Sequence, residues 1–469
     1  MTTSEDRTGP DTPPYLLGHY APVPDEFDAV ELTVTGALPP ELDGRYLRNG
    51  PNSRPGEDPG HLFTGHGMLH GVRLRDGRAE WYRNRWVRTT RLAGAPYNRP
   101  DGTLDLAAVN ANTHVIAHAD RLLALVENGL PYEVTGELDT IGPCDFGGRL
   151  TTAMTAHPKQ DPVTGELLFF GYSARPPHLV YHRLSASGEL VESRDVSVPA
   201  GTMMHDFAIT ENYVVWLDLP VVFDLRLAGG GGMPMRWDDG YGARLGLMRR
   251  DGTGDVRWFD IEPCYVFHVG NAHEDEAGRV VLDAVRYSRS AFTAMWQTMG
   301  GPVGSPVADT GWVLGETQGG NVHRWRLDPA TGRVDERPID DRGVEMPTIN
   351  DDLTGRPSRY LYTVAERAII KYDTLSGASH AYGTGDGSSP GEAVFVPART
   401  ATAGEEDAGW LLTMVSHGPT QGSELLVLDA RDLTRVAAVE MPRRVPAGVH
   451  GSWIPERGPD AAGERPSQD

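Results

Sequence analysis

Sixteen histidines are spread through the 469 residues, and neutral imidazole is the commonest protein ligand for a transition metal. The stretch FHVGNAHEDE, residues 267–276, sets His268 and His273 five residues apart, beside three acids and a glycine. Such spacing suits one ligand with a neighbour, and it equally suits a charged turn. Three other places repeat the setting of His268: His157 in MTAHPKQD, His205 in MMHDFAIT and His450 in GVHGSWIP. In each, a small or apolar residue precedes the histidine and a turn or new strand follows. The four lie 48, 63 and 182 residues apart along the chain. A local clip such as HExxH draws its ligands from one helical turn, and this spacing cannot do so. It fits an octahedral Fe(II) or similar site to which separate elements each give one side chain. On these residues alone, four ordinary structural histidines remain the alternative. His61, His66 and His70, in HLFTGHGMLHGV, are closer together, but a glycine-rich strand and turn crowds them there, and the economical reading is structural. His19, His178, His182 and His380 sit in polar or proline-rich contexts and are expected at the surface.

The elements that would carry these residues are strands. With 56 Gly and 36 Pro, long 3.6-residue periodicity is hard to find. Short β-branched or aromatic runs recur instead, closed by Asp/Gly turns: KQDPVTGELLFFGY, HRLSASGELVES, MRRDGTGDVRWFDI, EDEAGRVVLDAVRY, HRWRLDPATGRVDER and IIKYDTLSGASHAY. Each reads as strand, tight turn, strand. Serial hairpins without a composition break predict an all-β chain, a β-propeller spanning residues 14–455 as one domain. Two β-sandwiches fit the even spacing less well. Residues 223–246 and 286–304 interrupt the pattern with Met and Trp among glycines, and are expected to form a cap over one face, where a substrate binds. Residues 1–13 and 456–469 read as disordered tails.

Composition excludes several classes. With 65 acids against 43 bases the net charge is −22, a field that repels a phosphate backbone, so nucleic acid is not an expected partner. Lys159 and Lys371 are the only lysines and no GxxxxGK[ST] occurs, which removes P-loop and Schiff-base chemistry. Cys144 and Cys264 form no metal-like pair and no disulfide framework, as expected for a reduced cytoplasmic setting. The polar, acidic N-terminus is unlike a secretory signal, and no apolar run reaches ~18 residues, so a soluble protein is expected.

At the histidine motifs the chain resembles the carotenoid cleavage oxygenase family, which includes the retinal pigment epithelial membrane protein. The resemblance runs from GRYLRNGPNSRP (44–55) through GHGMLHGVRL, ENGLPYEV, AHPKQDPVTGELLFFGY, MMHDFAITENYVVWLDLP, FHVGNAHE, VEMPTIND, GEAVFVPA and GWLLTMV to VHGSWIP (449–455). It covers nearly the whole chain in order. It implies a seven-bladed β-propeller with a helical cap, and one Fe(2+) per subunit held by His157, His205, His268 and His450. Glu127, Glu345 and Glu392 match the family's glutamates and would accept the Nδ1–H of His205, His268 and His450 in turn. Thr113, in NANTHVI, matches the small polar residue beside the open coordination position. His273 would have no ligand role. The family commonly has an Asp where this chain has His66.

The activity so implied is a non-haem Fe(II) dioxygenase with dioxygen as co-substrate. It would cleave a C=C bond of an apolar carotenoid or apocarotenoid to two carbonyl products. Phe63, Trp86, Phe223, Trp296 and Trp453 are candidate tunnel or cap residues, with ordinary core as the alternative. Cleavage of a stilbene or other phenolic alkene is the second reading. Relatives of that kind use a lysine before the glutamate matching Glu127, where this chain has Val126, and a tyrosine whose counterpart here is Trp86. A non-enzymatic propeller scaffold is the third. An apolar substrate arrives from membranes, so VVFDLRLAGGGGMPM is a candidate for transient contact with a membrane surface. The oligomeric state is not legible.

Overall fold

All six hairpins form, and their turn chemistry shows why. In DPVTG, the Asp161 carboxylate accepts from the amides of Val163 (2.8 Å) and Thr164 (3.2 Å), and Gly165 then takes φ of +70°. DPATG repeats the device: Asp328 accepts from Ala330 and Thr331, and Gly332 has φ of +78°. A short acid caps the turn and a residue without Cβ reverses the chain. The computed structural model describes residues 12–228, 233–301, 319–402, 404–418 and 422–456.

Among these residues seven antiparallel sheets of four or more strands follow one another around an axis. This is the seven-bladed propeller that the resemblance implied, and it excludes two sandwiches. The inner strands, in chain order, are His114–His118, Lys159–Gln160, Ala208–Ile209, Tyr265–Glu274, Glu345–Thr348, Val394–Pro397 and Gly451–Pro455. The ring is closed twice. Gly451–Pro455 pairs with Gly44–Asn52 of the first blade, Arg48 opposite Gly451, and Val34–Gly36 pairs with Arg435–Glu440 of the last. Blades meet through apolar faces. Between the third and fourth, Phe207 stacks on Trp216 at 5.6 Å and meets Phe170 edge-on at 5.2 Å. Burying such a ring is worth roughly 1.5–3 kcal/mol.

The predicted cap is smaller than its sequence. From 223–246, the strand Met235–Trp237 pairs with Val221–Phe223 to make a side hairpin, and Arg244–Arg249 already belongs to the fourth blade. From 286–304, one helix forms, Arg289–Thr298, capped by Ser288 Oγ accepting from Ala291 N and burying Phe292, Met295 and Trp296. Residues 229–232 and 302–304 of the predicted cap lie outside the described residues, as do 1–11 and 457–469 of the predicted tails. Thr12, Pro13 and Glu456 are described; Glu456 pairs with Arg45 at 2.8 Å and with the buried Arg73. His182, expected at the surface, is 1% exposed: Phe169 stacks on its ring, and Thr152 and Ser193 hydroxyls occupy its two nitrogens. A polar neighbourhood in sequence had become a satisfied pocket between strands.

Candidate metal centre and its cavity

The blades bring His157, His205, His268 and His450 to the axis, where one ligand atom of each lies within 4.8 Å of the others. Each rides on or just before an inner strand, so neighbouring residues fix its aim. Phe207, two residues after His205, is locked between blades, as described. Asp206 accepts from the amide of Val269 in the next blade (2.8 Å) and pairs with Lys159 Nζ (2.8 Å), stitching three blades together at the level of the site. All four imidazoles are at least nine-tenths buried.

Three of the four are oriented by carboxylates. His205 Nδ1 lies 2.6 Å from Glu127 Oε2, His268 Nδ1 2.6 Å from Glu345 Oε2, and His450 Nδ1 3.0 Å from Glu392 Oε1. Glu345 and Glu392 are tethered in turn by the amides of Met346 and Gly451. An imidazole that donates Nδ1–H to a carboxylate presents the Nε2 lone pair. The Nε2 atoms of His268 and His450 are buried without a hydrogen-bond partner. His205 Nε2 faces His157 Nε2 at 3.0 Å. Lone pairs converging in a dry centre repel one another unless a cation lies among them. The donor set therefore fits a divalent transition metal held by four imidazoles.

The electrostatics agree. Burial holds His157 well below the usual imidazole range, and the three other histidines add to this. Burial also brings His450 down to about 4, against the opposing charge of Glu392. Those two stay neutral, the form that ligates. At His268 burial again lowers the pKa, but the charge and hydrogen bond of Glu345 outweigh it and leave His268 raised. Glu345 is correspondingly lowered: burial opposes this, and the His268 charge prevails.

The matches to known proteins agree with this centre. Residues 20–455 fit the family model described as retinal pigment epithelial membrane protein. A carotenoid cleavage oxygenase of Mycobacterium tuberculosis is 40% identical over 519 residues, spanning 97% of this chain and all of the relative. Among solved structures, the lignostilbene dioxygenase of Pseudomonas brassicacearum superposes with a TM-score of 0.80 at 31% identity, covering 95% of this chain and 99% of that one. A cobalt-substituted apocarotenoid oxygenase of Synechocystis gives 0.78 at 28% identity, covering 93% and 97%. The chain belongs to the carotenoid oxygenase family. With that, the reading as a non-enzymatic scaffold falls away.

The oxygenase has a cavity of about 680 Å3 that reaches the metal centre at His205, His268, Glu127, Glu345 and Thr113. Thr113 Oγ1 donates to Asn112 Oδ1 (3.1 Å), and its carbonyl receives the His450 amide (3.3 Å). Apolar side chains make most of the wall, including Leu104, Leu106, Val126, Phe267, Met295 and Met299. Of the aromatic residues expected there, Phe63 and Phe223 line the cavity. Trp296 packs behind the wall, 4.7 Å from the His61 ring and stacked on Phe292. Trp86 packs with Val23, Met68 and Leu92, and Trp453 with the cluster around Tyr46, both away from the cavity. Trp86 therefore does not stand where a phenol-gripping tyrosine would. Tyr97, which sequence reasoning missed, does line the cavity, and its hydroxyl donates to Asn128 O (2.9 Å).

His114 was missed as well. It lies on the axis, its ring 5.1 Å from that of His450. Both nitrogens are occupied, Nδ1 by Ala156 O (3.0 Å) and Nε2 by Ser452 Oγ (3.1 Å), so it supports the ligand ring without joining it. His61, His66 and His70 stand apart from the metal centre, as expected. His66 contacts Glu57 at 3.3 Å, and His273 is absent from the group of four.

Proposed function

We propose that this oxygenase holds one ferrous ion on His157, His205, His268 and His450, and splits a C=C bond of a carotenoid or apocarotenoid with dioxygen. The products are two carbonyl compounds, each carrying one oxygen atom from O2. The observation that carries this reading is the largely apolar cavity meeting four buried imidazoles whose lone pairs converge. Bound ferrous iron would supply the activation of dioxygen. The chain's own residues supply everything else. Glu127, Glu345 and Glu392 keep the Nδ1 protons in place and hold each ring at a fixed angle. Leu104, Leu106, Phe63, Phe223, Met295 and Met299 exclude water and hold an extended polyene, at about 25 cal/mol per Å² of apolar surface buried. Thr113 puts a small group beside the centre, leaving room for substrate. No general base is needed, because the reaction moves no proton from the substrate.

Val126 favours a polyene over a phenolic alkene. It lines the cavity one residue before Glu127, and an aliphatic side chain there leaves a phenol oxygen unpaired, at roughly 1–3 kcal/mol. Neither lysine reaches the cavity. Tyr97 on the wall and the likeness to the lignostilbene dioxygenase keep phenolic alkenes as the second reading. Purified, iron-loaded protein assayed under 18O2 against apocarotenals, carotenoids and resveratrol distinguishes the two by product mass spectrometry. Polyene cleavage is expected to be at least about tenfold faster, the value of ~1.4 kcal/mol. Resveratrol turnover above that of every polyene overturns the choice. The rim supports delivery from a lipid surface: Leu225 is 58% exposed at the cavity edge, beside exposed Arg226.

A further inference from the structure

Among the described residues, the charged side chains that line the main cavity, ligating histidines aside, are Glu127, Glu345 and Arg175. The two glutamates are committed to His205 and His268. Arg175 is exposed and pairs with no described carboxylate, although acids outnumber bases by 65 to 43 in this chain. Its guanidinium makes one hydrogen bond, a long one of 3.4 Å from Nη1 to Gly102 O. That contact places the group at the mouth. Tyr97, Asn98, Leu104 and Leu106 line the cavity from one loop, residues 173–177 line it from another, and the bond crosses between them. Leu104, 41% exposed, marks the same edge.

Several other donors along the wall are spent inside the protein. Tyr97 OH donates to Asn128 O and Thr113 Oγ1 to Asn112 Oδ1. The Nδ2 groups of Asn110 and Asn112 donate to the backbone carbonyls of Phe63, Thr64 and Gly65. A guanidinium carries five N–H donors and no acceptor, so most of the donors of Arg175 remain free. Its planar fork matches a carboxylate or a carbonyl oxygen. The choice of cation matters as well. An amine at this mouth would condense with an aldehyde to a Schiff base. A guanidinium, protonated to above about pH 12, binds the same oxygen without condensing. Both lysine amines are held elsewhere: Lys371 Nζ donates to Asp407 (2.6 Å) and to the carbonyls of Ala430 and Arg431, and Lys159 Nζ pairs with Asp206 (2.8 Å).

This rests on polyene cleavage as the reaction: we propose that Arg175 selects substrates with a carboxylate or carbonyl oxygen at one end, and grips that end at the mouth. The preferred substrate is then an apocarotenoid acid or aldehyde, ahead of a hydrocarbon carotenoid. The apolar chain runs inward along the wall towards the metal centre, and the oxygen stays at the rim, where it is not buried unpaired. Arg175 sets specificity and takes no part in the oxygen chemistry.

The test uses the full-length, iron-loaded protein and three polyenes of equal length, ending in an acid, an aldehyde or a hydrocarbon group. KM should rise in that order. Arg175→Met should raise KM for the acid about fivefold, as loss of a charge-assisted hydrogen bond at an exposed site does. KM for the hydrocarbon, and kcat for all three, should stay within twofold. A second variant reads position directly. In Arg175→Lys the new amine should condense with the aldehyde, losing water, and borohydride should reduce the C=N bond to a stable secondary amine. Peptide mass spectrometry should then find the polyene on residue 175, with little on Lys159 or Lys371. An unchanged KM for the acid in Arg175→Met, or no adduct at residue 175, overturns the role of Arg175 while polyene cleavage stands. Failure to cleave any polyene removes the proposed function, and this inference with it.

Discussion

Two groups of histidines invite comparison. His61, His66 and His70 fall within ten residues on one short loop and strand, while His157, His205, His268 and His450 are drawn from four blades. The dense group gathers into no metal-ligating cluster among the described residues, although His61 Nε2 and His66 Nδ1 are buried without a hydrogen-bond partner. His61 Nδ1 accepts the Phe63 amide, His66 meets Glu57, and His70 Nδ1 shares a hydrogen bond with Tyr82 OH at 2.9 Å. The dispersed group converges: the Nδ1 atoms of His205, His268 and His450 are bound outward to glutamates, and one ligand atom of each of the four lies within 4.8 Å of the others. Density along the chain therefore says little about a site, and what matters is which ring nitrogens the fold brings together.

The largest effect that separates the two groups is metal retention. His268→Ala or His450→Ala should leave the purified protein with less than about a tenth of the iron of the parent, since one of four ligands and its carboxylate partner are lost together. His66→Ala should keep full iron, and His114→Gln most of it. Full occupancy in the His268→Ala protein, measured by plasma emission, would falsify the ligand assignment.

The outer partners sharpen the contrast. Glu345→Gln should weaken metal affinity about 10–100-fold with the fold intact, as loss of a carboxylate behind a ligating histidine does. Glu57→Gln, which removes the partner of His66, should change it by less than twofold. Competition against a chromogenic chelator reads both, and equal affinities for Glu345→Gln and parent would make Glu345 a merely structural residue.

The smallest difference is in acid. Burial holds His61 down at about 3, against ~6.5 in the unfolded chain. Between those values the unfolded state binds the extra proton, so stability is lost as pH falls below about 6.5, by up to ~1.4 kcal/mol per pH unit. His268 has the opposite sign in the metal-free protein, because its raised pKa favours the folded state at low pH and that gain is lost as pH rises through it. In metal-free protein, His61→Gln should flatten the fall in stability between pH 6.5 and 5, read from urea midpoints. An unchanged slope would mean that His61 is protonated in the fold.

Much of this was legible beforehand for a physical reason. Hairpins announce themselves through Asp and Gly because the turn is built from those residues alone. The histidine and glutamate motifs carried the centre through resemblance, and the fold brings the four histidines together with a glutamate at three of them. What escaped was decided by tertiary context. Trp86 and Trp453 are as apolar as Phe63 and Phe223, and only the packing tells a cavity wall from a core. His114 follows Thr113 in NANTHVI and lies on the axis, but its saturation by Ala156 O and Ser452 Oγ comes from two other blades. Tyr97 sits in a loop whose course no periodicity reveals.

The double closure of the ring has a temporal side. Gly451–Pro455 completes the first blade, and the ligand His450 immediately precedes it. During synthesis, strands of the first blade leave the ribosome early and wait for a partner made more than three hundred residues later. Until that partner arrives, the three earlier histidines have no fixed common axis and the fourth does not exist. Ring closure and completion of the four-histidine cluster thus fall together at the end of the chain, and a prematurely terminated chain lacks both.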